Sequence, residues 1–236
     1  MTYSTTKIAV VTGGSRGLGL AITTALTRRG WHVVLDARDT DRLNDAVAAL
    51  PQGSVTAVPG DVADPAHRRA LAEAADRVSG ARLLINNASM LGPSPQPPLA
   101  SYPLEVLEQV YRVNTFAPLA LVQLMLGQLT RNDGRVLNIS SDAAVEPYEG
   151  WGGYGSSKAA LDQLTAILGA EHAGLRVFGL DPGDMNTDLH QQAFPGEDIS
   201  DRADPESVVP AVLKLIDGDL ASGRYRAADL LAEVPA

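Results

Sequence analysis

The chain predicts a single α/β domain built on a doubly wound parallel sheet, and three observations predict it. From Lys7 onward, short apolar runs alternate with amphipathic stretches of helical period. Such alternation implies parallel strands joined by helical crossovers, with helices on both faces of the sheet in three layers. A glycine-rich turn, Thr12-Gly13-Gly14-Ser15-Arg16-Gly17-Leu18-Gly19, stands between the first apolar run and the first helical stretch. Clusters of small polar residues, or of proline and glycine, follow the later apolar runs, and open α/β sheets bind ligands at the carboxyl ends of their strands. No repeat or low-complexity linker divides the 236 residues, so one domain over 1–236 is expected.

The elements follow in order. Lys7 to Val11 reads as a buried strand, and Leu20, Ile22, Ala25 and Leu26 mark one face of a helix that Gly30 ends. His32 to Leu35 is a second strand, followed by a helix over Asp41 to Leu50 that Pro51 closes. Val55 to Val58 is a third strand, and Pro65 to Val78 a helix with proline suited to its first turn. Arg82 to Ile85 is a fourth strand, leading to Asn86-Asn87-Ala88-Ser89 and an irregular proline-rich loop over Pro93 to Pro98. Leu104 to Leu129 is a long helical pattern interrupted at Pro118. Arg135 to Ile139 is a fifth strand, Tyr154 to Ala170 a helix, and Leu175 to Leu180 a sixth strand. A polar excursion with glycine and proline, at about 184–204, has the composition of a mobile loop. Pro205 to Ile216 is a last helix, and Arg224 to Arg226 a short strand.

Composition narrows the function. With 19 basic and 28 acidic residues the net charge is −9, which argues against general nucleic-acid or anionic-membrane binding. The absence of cysteine excludes disulfides and thiolate metal sites, and the four histidines show no ligand spacing, so no metal is expected. No secretory leader begins the chain and no apolar run reads as long enough to span a bilayer, so a cytoplasmic protein is expected.

The sharpest chemical signal is Tyr154-Gly155-Ser156-Ser157-Lys158. Spacing of four on a helix puts the phenol and the ammonium on one face, one turn apart. A tyrosine pKa near 10 needs roughly 4 kcal/mol to fall toward 7. A unit charge at about 4 Å supplies that much at an effective dielectric of about 20, but only about 1 kcal/mol in water. Lys158 therefore qualifies as the activating cation in a partly dry cleft. The glycine-rich turn, lying between strand and helix, has the context of a phosphate cradle: glycines admit a pyrophosphate to the backbone, and the helix N-terminus supplies N–H donors.

Together these pieces closely resemble the short-chain dehydrogenase/reductase family in its short, single-domain form, with its Rossmann-type fold. The resemblance runs from about Lys7 to about Ala227. It rests on Thr12…Gly13-x-x-x-Gly17-x-Gly19, Asp61-Val62, Asn86-Asn87-Ala88, Asn114, Ser141, Tyr154-x-x-x-Lys158 and Pro182-Gly183…Thr187. Ser141 precedes Tyr154 at the family's usual distance, which favours it over Ser140. The resemblance implies that Tyr154 is the general acid or base at the substrate oxygen and that Ser141 holds that oxygen. It implies that Lys158 lowers the Tyr154 pKa and binds the nicotinamide ribose, and that Asn114 holds a water of a proton relay. The glycine loop, including Ser15, Arg16 and Leu18, should hold the pyrophosphate. Asp61 and Val62 should face adenine, Asn87 and Ala88 should line the cofactor, and Pro182, Gly183, Met185 and Thr187 should meet the nicotinamide.

Asp36 and Arg38 both follow the second strand. An acid there binds ribose hydroxyls and an arginine accommodates a 2′-phosphate. In the family register the selective acid falls at Ala37, while Arg38 and Arg16 stand where NADP-dependent members carry basic residues. NADP(H) is therefore expected over NAD(H), with Asp36 the opposing sign. The substrate, a carbonyl or secondary alcohol of small to moderate size, should meet Met90, Leu91, Ala143, Glu146, Trp151, Met185 and the excursion with His190. Ser89, in place of the family's glycine, should narrow the nicotinamide pocket, and Phe178 stands where asparagine is frequent. Family members assemble as dimers or tetramers through two long helices, and Leu119 to Val122 with Leu161, Leu164 and Ile167 suit either that role or an internal core. Two other functions fit the same fold: a cofactor-sensing regulator without turnover, and a dehydratase or epimerase.

Overall fold

The computed structural model describes residues 7–232. Seven strands form one sheet: β1 (Ile8–Val11), β2 (His32–Ala37), β3 (Val55–Pro59), β4 (Leu83–Asn86), β5 (Arg135–Ile139), β6 (Arg176–Asp181) and β7 (Gly223–Arg226). Their spatial order is β3-β2-β1-β4-β5-β6-β7, and every neighbouring pair is parallel. The order reverses between β1 and β4, the crevice at which a doubly wound sheet takes its ligand.

The strands form where apolar residues run without alternation, because both faces of the sheet are covered. Ala9, Val11, Leu35, Ile85, Leu137 and Phe178 enter one core with Leu18, Ile22 and Leu26 of α1 (Gly17–Arg28). Helices α8 (Val209–Asp217) and α9 (Ala227–Ala232) complete that layer. Ile8, Val10, Val34, Leu84, Val136 and Val177 point the other way, against α3 (Pro65–Val78) and α5 (Ala117–Arg131). Phe178 is thus a core residue, edge-on to Tyr225. The remaining helices are α2 (Thr40–Ala48), α4 (Leu104–Tyr111), α6 (Gly152–Glu171) and α7 (Asp188–Ala193).

Three differences from the expected elements have physical causes, and one alternative left open in the sequence is narrowed. The break in the long helix lies at a π-turn over Arg112–Phe116, ahead of Pro118. Proline has no N–H for the carbonyl four residues back, that of Asn114, and the widened turn accommodates the lost bond. The stretch Leu104–Arg131 is, by length and composition, apolar enough to cross a bilayer, against the expectation that no run was. Its apolar face, including Leu121, Val122, Met125 and Leu129, is core. Leu121, Val122 and Leu161, considered for a subunit interface, are likewise buried within one chain, whereas Phe116, Leu124 and Ile167 are exposed. The polar excursion contains α7 and a bridge between Met185 and Ala203, so it is folded.

Helix α6 lies unusually close to the turn after β5. A Cβ on Gly155 would stand 2.6 Å from the Ala143 carbonyl oxygen, so glycine is what lets Tyr154 approach the segment that carries Ser141.

Candidate active site

One cleft of about 940 Å³ opens at the carboxyl ends of the strands. It gathers Gly13, Ser15, Arg16, Gly17, Leu18, Arg38, Asp61, Val62, Asn87 and Ala88 at one end, and Met90, Ser141, Trp151, Tyr154, Lys158, Pro182, Gly183, Met185, Thr187 and His190 at the other. Four expected residues, Asn114, Ala143, Glu146 and Gly19, lie outside this lining. Asn114 is fully buried behind it, Ala143 packs with Leu91 behind Tyr154, and Glu146 is exposed at the surface while Asp142 lines the cleft instead. Gly19 lies under the loop, where a Cβ would stand 2.4 Å from the Gly13 carbonyl oxygen.

At the cofactor end, polar side chains hold the loops to one another. Gly13 turns with φ +66, its backbone against Ala88. Asn87 Nδ2 donates to the carbonyls of Thr12 (2.9 Å) and Gly13 (3.0 Å), and the Ala88 N–H donates to Thr12 Oγ1. Asp36 is 1% exposed; its Oδ1 accepts from the Gly13 N–H at 2.7 Å and its Oδ2 contacts His67 Nε2 at 2.9 Å. Burial raises its pKa, with His67 and the Gly13 N–H opposing that rise. Both oxygens are engaged, so Asp36 is a strut between the loop and α3. Ala37 follows, then Arg38, exposed and without an ion pair among the described residues. Asp61 Oδ1 accepts from the Ala63 N–H, so half of that carboxylate is a local cap. Arg16 pairs with Asp188 of α7, which Arg42 also meets at 3.3 Å. The N-cap residue of α1, Arg16, makes no side-chain cap, and the first residues of the helix, Gly17 and Leu18, line the cleft.

At the other end, Tyr154 is 6% exposed. Burial pushes its phenol up to about 12; the nearby hydroxyls of Ser89 and Ser141 lower it, while the charges of Asp142 and Asp181 raise it, and the Ser141 hydroxyl donates to Asp142 Oδ1 at 3.0 Å. The expected lowering by Lys158 is not realised. Its Nζ stands over the Tyr154 ring, 5.5 Å from the centroid, and donates to the Ile139 carbonyl at 2.7 Å. Lys158 is itself 2% exposed, and burial lowers its pKa to about 8 against the pull of Asp162. The Asn114 amide is also otherwise engaged. Its Oδ1 accepts from the Met90 N–H (2.8 Å) and the Ser89 hydroxyl, and its Nδ2 donates to the Met90 carbonyl and to Ser157 Oγ. Thr187 Oγ1 caps α7 through the His190 N–H.

A family model described as short chain dehydrogenase matches residues 7–198. The chain belongs to this family. The short-chain dehydrogenase resembles the rhamnolipid-biosynthesis 3-oxoacyl-[acyl-carrier-protein] reductase of Pseudomonas aeruginosa, with 39% identity over 71% of this chain and 68% of that one. It also resembles the benzil reductase ((S)-benzoin forming) of Bacillus subtilis, at 33% over 78% and 76%. A solved short-chain dehydrogenase from Escherichia coli CFT073, complexed with NADPH, superposes with a TM-score of 0.86 at 26% identity, covering 94% of this chain and 96% of that one.

In this short-chain dehydrogenase, two functional contacts lie outside the motifs. Ser89 is the first; it faces the phenol, and only its departure from the family's glycine marked it in the sequence. The second is Arg224 of β7. Its Nε donates to Asp162 Oδ2 at 2.8 Å, and its Nη2 donates to the Ser141 carbonyl at 2.9 Å and to Asp181 Oδ2 at 3.1 Å. Asp181 Oδ1 in turn accepts from the Gly183 N–H. Arg224 thereby ties together the end of β5, the turn after β6 and the helix bearing Tyr154 and Lys158. No local signal near Arg224 announces this.

Proposed function

We propose that the protein is an NADP(H)-dependent carbonyl reductase that converts a ketone or aldehyde of small to moderate size to its alcohol, with Tyr154 as the general acid. The observation that carries this reading is the buried phenol faced by two serine hydroxyls in a cleft whose far end is a glycine loop and an uncapped helix. The named reductases among its relatives, which act on ketones, support the same direction.

The residues fit the cofactor. The α1 N-terminus and the loop Gly13 to Gly19 would hold the pyrophosphate, Arg38 and Arg16 the 2′-phosphate, Asp61 and Val62 the adenine, and the turn from Pro182 to Thr187 the nicotinamide amide. The side chain of Asn87 braces the loop in this reading, and Ala88 lies beside the bound nucleotide. Reduced nicotinamide, when bound, supplies the hydride.

The chain's own groups do the rest. Ser141 Oγ, which donates to Asp142 Oδ1 at 3.0 Å, would turn that proton to the substrate oxygen and fix the carbonyl, with Ser89 beside it. A phenol held near 12 is protonated at neutral pH, so it is a proton donor to the oxygen as negative charge develops there. Lys158, using one of its three protons on Ile139, has two left for ribose hydroxyls and for a water. The side chain of Asn114 cannot hold that water, because it braces Ser89, Met90 and Ser157. The Asn114 carbonyl, which has no helical partner at Pro118, would hold that water, and the water, in exchange with solvent, would return a proton to Tyr154 through Lys158. The exposed Phe116, Leu124 and Ile167 are the surface through which a homodimer would form.

The test is NADPH oxidation against ketones and aldehydes by the wild type and Tyr154→Phe. The variant should keep NADPH binding, read by cofactor fluorescence, and lose kcat by roughly 10²–10⁴, the worth of a positioned general acid. Cofactor binding without turnover of any carbonyl by the wild type would favour the regulator.

A further inference from the structure

Beyond Tyr154 the cleft is lined by the rings of Trp151 and His190, from two separate segments, with Phe194 outside the lining and packed against both. Trp151, from the loop before α6, stands edge-on to Tyr154 with centroids 5.8 Å apart. Phe194, just after α7, leans on Trp151 at 5.9 Å, and His190 lies against Phe194 at 4.8 Å with an interplanar angle of 38°. Leu91, Leu189 and Ala193 pack beside them. A wall of this kind favours a flat, polarisable ligand, since ring contacts add roughly 0.5–1.5 kcal/mol beyond the burial of area.

One polar atom in that wall has no partner. His190 Nε2 is buried and makes no hydrogen bond among the described residues, while Nδ1 faces Asp184 Oδ1 at 3.8 Å. The His190 side chain is 11% exposed and lines the cleft. Leaving a buried polar group unpaired costs about 1–3 kcal/mol, and a ligand atom bonding Nε2 would remove that cost. Charge restricts the ligand further. Of the acids lining this end of the cleft, Asp181 pairs with Arg224 and Asp184 lies 3.9 Å from Arg202, Asp142 has no cation beside it among the described residues, and Lys158 is turned to Ile139. A substrate carboxylate or phosphate would meet Asp142 with no cation turned toward it.

We propose that this subsite takes an uncharged aryl ketone bearing a second oxygen function close to the reacting carbonyl. The aryl ring packs on Trp151, which Phe194 backs, and the second oxygen bonds to His190 Nε2. The proposal rests on the reductase reading above. In the balanced step, the carbonyl carbon gains a hydride from the reduced nicotinamide and its oxygen gains the Tyr154 proton. The C=O π bond becomes a C–H and an O–H bond, the nicotinamide is oxidised, and solvent reprotonates Tyr154.

The experiment compares kcat/KM with NADPH for 1-phenylpropane-1,2-dione, hexane-2,3-dione and acetophenone, in the wild type, His190→Phe and His190→Gln. The aryl dione should exceed the alkyl dione by about tenfold or more, the worth of one good ring contact. His190→Phe should shrink the preference for the aryl dione over acetophenone by about tenfold, the worth of one hydrogen bond, and His190→Gln, which can still bond, should restore most of it. Equal use of the two diones, or an aryl dione preference that survives in His190→Phe, overturns the assignment while leaving the reductase reading intact. Failure of the wild type to reduce any of the three compounds overturns both.

Discussion

Asp36 and Lys158 are both buried charges, 1% and 2% exposed, at opposite ends of one cleft. Asp36 has a partner for each oxygen, the Gly13 N–H and His67. Lys158 has three protons to place and makes one bond, to the Ile139 carbonyl. The same contrast extends outward. Around Asp36, the side chains of Asn87 and Thr12 bond to neighbouring loops. Around Lys158, Ser140 Oγ and His190 Nε2 are buried without partners among the described residues, and the Tyr154 phenol is pushed up to about 12. A buried charge that is fully engaged is scaffold; one with bonds to spare is placed for something that binds and reacts, at a cost in stability.

Truncating each charge gives the largest expected effects, and with opposite signs. Asp36→Ala strands His67 and the Gly13 N–H, and unfolding free energy should fall by about 3–5 kcal/mol, as when one member of a buried pair is removed. Lys158→Met should stabilise. Its folded pKa of about 8 lies below the ordinary 10.5, so the folded state binds the proton more weakly than the unfolded one. The penalty is therefore full below about pH 8 and vanishes as pH rises past 10.5. At neutral pH it amounts to roughly 3 kcal/mol at about 1.36 per unit, reduced by the unpaired Ile139 carbonyl at about 1–3. Chemical unfolding at pH 7 and pH 10.5 checks both. A destabilised Lys158→Met at pH 7, or a gain that persists at pH 10.5, breaks the contrast.

Arg38 sharpens it next, as the unpaired cation at the otherwise braced end. Arg38→Ala should raise the KM for NADPH by about 10–100-fold, the worth of charge-assisted bonds of roughly 1.5–3 kcal/mol, with little change for NADH. Because Asp36 is engaged elsewhere, the wild type should prefer NADPH despite that acid. Equal losses with both cofactors would show that Arg38 holds the loop and does not read the phosphate.

What could be read in the sequence divides along the same line. Strand β5 was expected and found at Arg135–Ile139, and the glycine turn could be placed because tight turns, strands and helix starts are set by neighbouring residues. The cofactor end consists of such local features. The direction of a side chain set by packing between distant elements could not be read. Asp36, the sign against NADP in the sequence, is bonded by two partners 23 and 31 residues away, which no local pattern announces. Lys158 was expected to lower the phenol, but its ammonium turns to a strand carbonyl instead. The effect of Ser89 on Tyr154, and the engagement of the Asn114 amide, likewise depend on how the β4 loop, the π-turn and α6 meet.

Arg224 is the extreme case, 83 residues from Ser141 and with no motif around it, and it yields the smallest and most diagnostic of these effects. It acts as a positioning residue, bonding the Ser141 carbonyl while neutralising Asp162 and Asp181. Asp162, one turn beyond Lys158 on α6, raises the Lys158 pKa against the burial that lowers it. Asp142 and Asp181 face Tyr154 from the β5 and β6 ends. Removing the guanidinium in Arg224→Met leaves the field of Asp162 unopposed, so Lys158 should hold its proton to higher pH. The alkaline fall of kcat/KM should move up by a fraction of a unit to about one unit, at 1.36 kcal/mol per unit. Asp162→Asn removes the same field, and the fall should move down. Arg224→Lys keeps the charge and should leave the limb in place, even if losing the fork raises KM or lowers the melting temperature. A purely structural role predicts lower activity without movement of the pH limb, so shifts of the same sign in Arg224→Met and Asp162→Asn, or none in either, would reduce Arg224 to a brace.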